Sequence, residues 1–155
     1  MMREQYDSAI VYYDKALAAD PSYEKATYQK AAVFLYQKNY DQSIELLRNL
    51  LKENSEYAEA SQLIGDNYYN QQRYDSALRW YNKAYDGGIR NRYLFHLMGY
   101  IHQTKGDNTH AIKYYQEALQ YDSSVLDIYQ RLGTLIPGQA GDFYRRTAVE
   151  LEKEN

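Results

Sequence analysis

Ser61-Gln62-Leu63-Ile64-Gly65-Asp66-Asn67-Tyr68, a break at Gln71-Gln72-Arg73, then Ala77-Leu78-Arg79-Trp80-Tyr81-Asn82-Lys83-Ala84-Tyr85: this stretch decides the fold. In its first half Ser61, Ile64, Gly65 and Tyr68 recur at steps of three and four, which puts them on one side of an α-helix. Ala77, Tyr81, Ala84 and Tyr85 do the same in the second half. Between them lies a short polar break of the kind that joins antiparallel helices. The stretch thus reads as a helical hairpin. Small residues at the crossing let two backbones approach, and a large residue one turn away fills the adjoining gap.

Working outward in both directions, the hairpin repeats at a step of 34 residues. Ala9, Ser43, Ala77 and Ala111 form one column, and Ala31, Gly65, Gly99 and Gly133 another. Tyr6, Tyr40 and Tyr74 keep the step, as do Tyr13, Leu47, Tyr81 and Tyr115, and Ala16, Leu50, Ala84 and Ala118. Breaks fall at Gln37-Lys38-Asn39, Gln71-Gln72-Arg73 and Lys105-Gly106-Asp107 inside units. Others fall at Asp20-Pro21-Ser22, Asn54-Ser55 and Asp86-Gly87-Gly88 between units. The pattern predicts an all-α chain with no strands and nine helices, near 6–19, 24–37, 40–53, 58–71, 74–86, 91–104, 108–121, 126–136 and 142–153.

The columns resemble the tetratricopeptide repeat (TPR) pattern of Leu-Gly-x2-Tyr, then Ala-x3-aromatic-x2-Ala and Pro. Ile64-Gly65-x2-Tyr68 with Ala77-x3-Tyr81-x2-Ala84 carries it, and Phe95-x2-Met98-Gly99 with Ala111-x3-Tyr115-x2-Ala118 repeats it. Tyr6 to Leu17, ending at Asp20-Pro21, looks like the second helix of such a unit. The resemblance implies a right-handed superhelical α-solenoid of antiparallel helix pairs over residues 1–155. Its parts are a partial repeat whose second helix is 6–21, repeats at 24–57, 58–91 and 92–125, and a divergent capping segment at 126–155. Departures occur where Ser55, Ile89 and Ser123 replace the proline of Pro21. Pro137 and Gly138-Gln139-Ala140-Gly141 stop one helix early and loosen the register beyond. The polar last helix, with Arg145, Arg146, Glu150, Glu152, Lys153 and Glu154, reads as the cap a solenoid end requires. The helix at Tyr6 lacks the first helix of its unit, so the sequence reads as a fragment of a longer array.

Composition narrows the function classes. A net charge of -3 offers no basic field for a phosphate backbone, so no nucleic acid is expected as a partner. The absence of cysteine excludes disulfides and thiolate metal sites without fixing the compartment. No apolar run approaches the roughly 20 residues of a membrane span, and Met1 to Gln5 is too polar for a signal peptide. A soluble protein is expected. The cytoplasm stands ahead of an exported setting, which a missing N-terminus would restore. Tyrosine supplies 20 of the aromatics; its ring packs and its hydroxyl needs a partner, which suits thin helical layers near water.

Catalytic chemistry has no visible motif. His96, His102 and His110 are not spaced as a helical metal pair, and no carboxylate completes a ligand set at sequence level. His102 shares a column with Phe34, Tyr68 and Ile136, which points to packing. Asp86-Gly87-Gly88 is a helix terminator, not a phosphate loop. Serines such as Ser8, Ser43 and Ser76 belong to repeat positions. No enzyme, metal or cofactor is expected.

In the resembled family the first helix of each pair lines a concave face. The corresponding helices here carry a second stripe at steps of three and four: Lys25, Tyr28, Ala32 and Leu35; Glu59, Gln62, Asp66 and Tyr69; Tyr93, His96, Tyr100 and Gln103; Asp127, Gln130 and Thr134. Tyr, Gln and His give broad contact with little side-chain entropy to lose. These residues are the expected contacts of a protein or peptide partner. TPR domains that grip the acidic C-terminus of heat-shock chaperones use a Lys/Asn/Asn/Lys/Arg clamp; the corresponding positions hold Tyr28, Ala32, Leu63, Tyr93 and Leu97. One unit further on, the positions hold Gln62, Asp66, Leu97, Asp127 and Arg131, and only Arg131 fits. No such clamp is expected. The alternative role is self-assembly, in which copies stack weakly through the uncapped first helix.

Overall fold

The computed structural model describes residues 2–154, and the side chains of residues 4–154. Met1 and Asn155, included in the expected span, lie outside the described residues. Nine helices and no strand occur among the described residues: α1 (Met2–Ala19), α2 (Glu24–Tyr36), α3 (Tyr40–Glu53), α4 (Ala58–Asn70), α5 (Tyr74–Asp86), α6 (Arg92–Thr104), α7 (Asn108–Tyr121), α8 (Leu126–Leu135) and α9 (Gln139–Glu154). They fall into two compact units, α1–α5 up to Ile89 and α6–α9 from Arg90. Within the units α2 packs on α3, α4 on α5, α6 on α7 and α8 on α9. Two helices begin earlier than the periodicity predicts. α1 starts at Met2, because nothing between Met2 and Gln5 breaks a helix, and α9 starts at Gln139, directly after Gly138 turns the chain.

The turns inside each pair are built alike. Gly106 has φ +78°, and Lys38 and Gln72, two steps and one step before it, hold the same left-handed conformation at φ 63° and 58°. At each turn the next amide reaches back over the helix end: Asn39 N donates to Phe34 O (2.8 Å), Arg73 N to Tyr68 O (2.9 Å) and Asp107 N to His102 O (2.9 Å). This closure satisfies carbonyls that the helix leaves open. Between pairs a different device recurs. Asp20 Oδ1 accepts from Ser22 N, Asn54 Oδ1 from Glu56 N and Asp122 Oδ1 from Ser124 N, a side-chain turn that fixes the chain reversal. Gly88, with φ +100°, takes that column's place once.

Inside the pairs, size is matched across the crossing. A Cβ on Gly65 would lie 2.5 Å from the Tyr81 ring, and one on Gly99 would lie 2.7 Å from the Tyr115 ring. In the first pair, Ala31 and Leu47 occupy the same two columns. Glycine goes with tyrosine, and alanine goes with leucine. Tyr81 and Tyr115 are fully buried, and the core of the second unit gathers Phe95, Ala111, Tyr115, Ala118, Ile128 and Leu132. At α8–α9 the 34-residue step survives Pro137: Arg145, one step after Ala111, lies against Gly133. Its guanidinium donates to Gly133 O (2.6 Å), Ile136 O (3.1 Å) and Gly138 O (2.5 Å), and pairs with Asp142 at 2.6 Å. One side chain closes the whole turn.

Candidate partner-binding faces

In the first unit the expected stripe lies on α2 and α4. Lys25 and Glu59 are exposed, and Tyr28, Ala32, Leu35, Gln62 and Tyr69 are half-buried. Tyr28 meets Tyr57 with ring centroids 5.8 Å apart, and Tyr69 meets Tyr74 at the same distance. Burial pushes the Tyr28 hydroxyl above its ordinary pKa, and the nearby Asp66, Tyr57, Glu59 and Tyr36 add to the shift. The face is therefore electronegative around a neutral phenol. Asp66 departs from its expected role: it is 7 % exposed, and its Oδ1 accepts from the Tyr81 hydroxyl at 2.8 Å. The bond to Tyr81 turns its carboxylate between α4 and α5, so it orders the face from below.

In the second unit the stripe becomes a connected polar chain. Asp127 Oδ2 on α8 accepts from His96 Nε2 on α6 (2.9 Å) and from Arg131 Nε (2.7 Å). Arg131 Nη1 donates to Gln103 Oε1 (3.1 Å), which also accepts from the Tyr115 hydroxyl (2.8 Å). The Arg131 guanidinium sits 5.1 Å from the centre of the Tyr100 ring. Tyr93 stands beside this chain, 45 % exposed. Gln130 is drawn aside, donating to Glu152 of α9 (2.7 Å), and Thr134 donates to the Gln130 carbonyl (2.9 Å).

Electrostatics fix the protonation states. Burial lowers the His96 pKa and outweighs the pull of Asp127 in the other direction. At neutral pH His96 is therefore a neutral donor. Burial pushes Asp127 up, but the hydrogen bond and charge of Arg131, with His96, carry its carboxyl below the ordinary range. Tyr115 is pushed up to about 12, chiefly by burial, against the opposing charge of Arg131. The chain thus presents one fixed anion, one fixed cation and several neutral hydrogen-bonding groups. Arg131 is not among the expected contacts of this face, although Asp127-x3-Arg131 is a readable i,i+4 ion pair.

Two further clusters lay outside the expected site. Helices α3, α4 and α5 border an open pocket of about 380 Å³ lined by Arg48, Tyr68, Arg73, Ser76, Arg79, Trp80 and Lys83. Lys83 Nζ lies 4.4 Å and the Arg48 guanidinium 6.0 Å from the Trp80 ring, and Arg73 lies 4.9 Å from Tyr68. No carboxylate lines this pocket. Arg73, Arg79 and Lys83 follow one another at steps of six and four, a spacing present in the sequence. Arg48 joins them only through the fold.

The second cluster corrects the reading of the histidines. A carboxylate does stand between two of them: Asp107 Oδ2 lies 3.0 Å from His102 Nδ1 and 2.7 Å from His110 Nδ1. The two imidazoles stack with centroids 5.1 Å apart, and Tyr114 stacks on His102 at 5.4 Å. Helical spacing could not show this, because the three residues sit on two helices and the turn between them.

Comparison with known proteins bears on these faces. Models of the tetratricopeptide repeat family match residues 28–91 and residues 4–23 and 93–125. Among curated proteins, the Hsp70-Hsp90 organising protein of Plasmodium falciparum (isolate 3D7) is 28 % identical over 89 residues, covering 53 % of this chain. The STIP1 homolog of Dictyostelium discoideum is 32 % identical over 89 residues with the same coverage. This match takes in only 16 % of either relative. Among solved structures, MamA superposes with a TM-score of 0.82 at 20 % identity, covering 99 % of this chain and 92 % of that one. YrrB, described as a TPR protein with an unusual peptide-binding site, superposes with a TM-score of 0.75 at 18 % identity, covering 90 % and 70 %. The 34-residue columns, the paired helices and these matches agree, and the chain belongs to the tetratricopeptide repeat family.

Proposed function

We propose that this chain is a non-enzymatic protein-interaction scaffold that holds an extended segment of a partner on the faces of its first helices. The observation that supports this most is the locked chain His96–Asp127–Arg131–Gln103 beside the exposed Tyr93. Its groups are held in place before any partner arrives, so little ordering entropy opposes binding. Asp127 accepts from backbone amides, Arg131 donates to carbonyls, and Tyr93 and Tyr100 offer ring area. On the first unit, Tyr28, Gln62 and Tyr69 offer the same chemistry around a more acidic floor. The peptide-binding description of YrrB agrees with this reading. The chaperone-organising relatives suggest chaperones as partners, but Leu63, Tyr93 and Leu97 at the clamp positions argue against capture of an acidic chaperone C-terminus.

The experiment is partner capture from the native source, with bound proteins identified by mass spectrometry. Wild type is compared with Tyr69→Ala/Tyr100→Ala and with Trp80→Ala/Lys83→Glu. Loss of a partner with the tyrosine pair alone, at unchanged helicity, supports the first-helix faces. Retention of every partner by that variant refutes them. Loss with the Trp80 pair alone moves docking to the basic pocket bordered by α3, α4 and α5.

A second reading is self-association through α1. Val11 and Tyr12 on that helix are 53 % and 69 % exposed, an apolar surface that a second copy would cover. Sedimentation across a wide concentration range decides it: a strict monomer at every concentration rules it out.

A further inference from the structure

We propose that His102, Asp107 and His110 form a binding site for a borderline divalent transition metal such as Zn²⁺ or Ni²⁺, open on one side. Their ligand atoms lie within 4.8 Å of one another. Each Nδ1 already points at the same carboxylate oxygen, at 3.0 and 2.7 Å. A tetrahedral zinc ion, with ligands at about 2.0–2.1 Å, holds neighbouring donors roughly 3.3 Å apart. To admit the ion the two N···O spacings open by about 0.3–0.6 Å, and the two nitrogens, which lie within 4.8 Å of each other, draw together around it. Both imidazoles then carry their proton on Nε2, and Nδ1 turns its lone pair to the metal. Two nitrogens and one oxygen favour a transition ion over Mg²⁺ or Ca²⁺, which take oxygen ligands. His110 and Asp107 are both solvent-accessible, with side chains 54 % and 39 % exposed. The ion has an entry path, and water fills its remaining position.

The repeat supplies an internal control. One step earlier the three positions hold Tyr68, Arg73 and Ser76, and two steps earlier Phe34, Asn39 and Gln42. Neither set holds a histidine or a carboxylate. An acidic cap is not what the turn requires either, because α3 and α5 begin at Asn39 and Arg73 with no side-chain cap bond. In the same pair Asn108 takes the column of Tyr6, Tyr40 and Tyr74. The three ligands converge in one repeat only, the one in which Asn108 replaces the tyrosine of that column.

The test uses the tag-free chain, which has only one other histidine, His96. ZnCl₂, NiCl₂ and MgCl₂ are titrated calorimetrically, and melting is followed with and without metal. His110→Gln, Asp107→Asn and His102→Phe install residues that other repeats carry at these positions, so the fold is preserved. Expected are one saturable Zn²⁺ or Ni²⁺ site per chain, no Mg²⁺ site, and a melting rise that the metal induces. Each variant should bind at least about tenfold more weakly and lose the metal-dependent rise while keeping the metal-free melting of wild type. Wild type with no saturable site overturns the proposal. So does undiminished binding by His110→Gln and Asp107→Asn, or loss of the site only on His96→Gln.

Discussion

Exchanging Gly99 for alanine tests the size-matching rule on which the helix pairs rest. The new Cβ would lie 2.7 and 2.8 Å from Cδ1 and Cε1 of Tyr115, where comfortable contact is about 3.5–4.0 Å. The ring must retreat by about 1 Å, yet Tyr115 is fully buried and its hydroxyl is held by Gln103. Overpacking of this kind costs about 1–3 kcal/mol, and alanine returns at most about 1 kcal/mol in helix propensity. Gly99→Ala should therefore destabilise by about 1–2 kcal/mol, a melting drop of several degrees. Tyr115→Leu alone should cost about 2–3 kcal/mol through lost volume and the lost Gln103 bond. The double variant reproduces the Ala31/Leu47 pair that the first hairpin already uses. Its cost should fall short of the sum by about 1–2 kcal/mol, because the methyl occupies space the ring has left. Urea unfolding read by circular dichroism gives the four stabilities, and hydrogen exchange across α6 and α7 localises the effect. Additivity within about 0.5 kcal/mol would show that the two columns are not coupled and refute the rule.

Other outcomes follow from the same geometry. Lys38→Gly and Gln72→Gly should each stabilise by up to about 1 kcal/mol, since both residues hold the left-handed conformation that Gly106 takes in the third pair; a melting decrease would show that their side chains outweigh the backbone strain. Asn67 is fully buried, donates to Ser43 Oγ (2.9 Å) and Leu63 O (2.8 Å), and leaves its Oδ1 without a partner. Ser43→Ala/Asn67→Leu, matching Ala111 and Leu135 in the same columns, should thus be neutral or stabilising, whereas Ser43→Ala alone should cost about 1 kcal/mol; chemical denaturation of both variants checks this. Arg145→Met should cost about 2–3 kcal/mol by stranding the carbonyls of the α8–α9 turn, seen as faster amide exchange in α9. Because the folded pKa of His96 is lowered, the unfolded chain binds the extra proton first as pH falls. Stability contributed by neutral His96 should decline from about pH 7 to 5, and His96→Gln should flatten that slope; an unchanged slope counts against a buried neutral imidazole.

The helices were legible because their information is local and repeated. Apolar periodicity defines each face, and a break of two or three polar residues defines each end. Four occurrences of one column then make a register error visible. Past Pro137 the sequence left the register loose, and the structure shows it kept: Arg145, one step after Ala111, lies against Gly133 even though α9 begins earlier than expected. The stripe on the first helices was legible as a pattern, but spacing cannot say which members stand open. Asp66 and Tyr69 share one stripe, and only burial separates the aspartate under Tyr81 from the half-exposed ring.

By itself, then, the sequence determined the helix pairs, their register as far as Pro137, the crossing residues and the absence of any recognisable motif for catalysis, since all of these depend on neighbours within a turn or on the 34-residue step. Tertiary structure decided which polar groups meet. Asp127 joins His96 from another helix, Arg48 completes the cations around Trp80, and Asp107 draws His102 and His110 to one oxygen atom. Hydrogen bonds and metal ligation are set over a few tenths of an ångström, a precision that a periodicity of whole residues does not carry. The charge chain from α6 to α8, on which the proposed partner binding rests, exists only once the fold brings His96, Asp127 and Arg131 together.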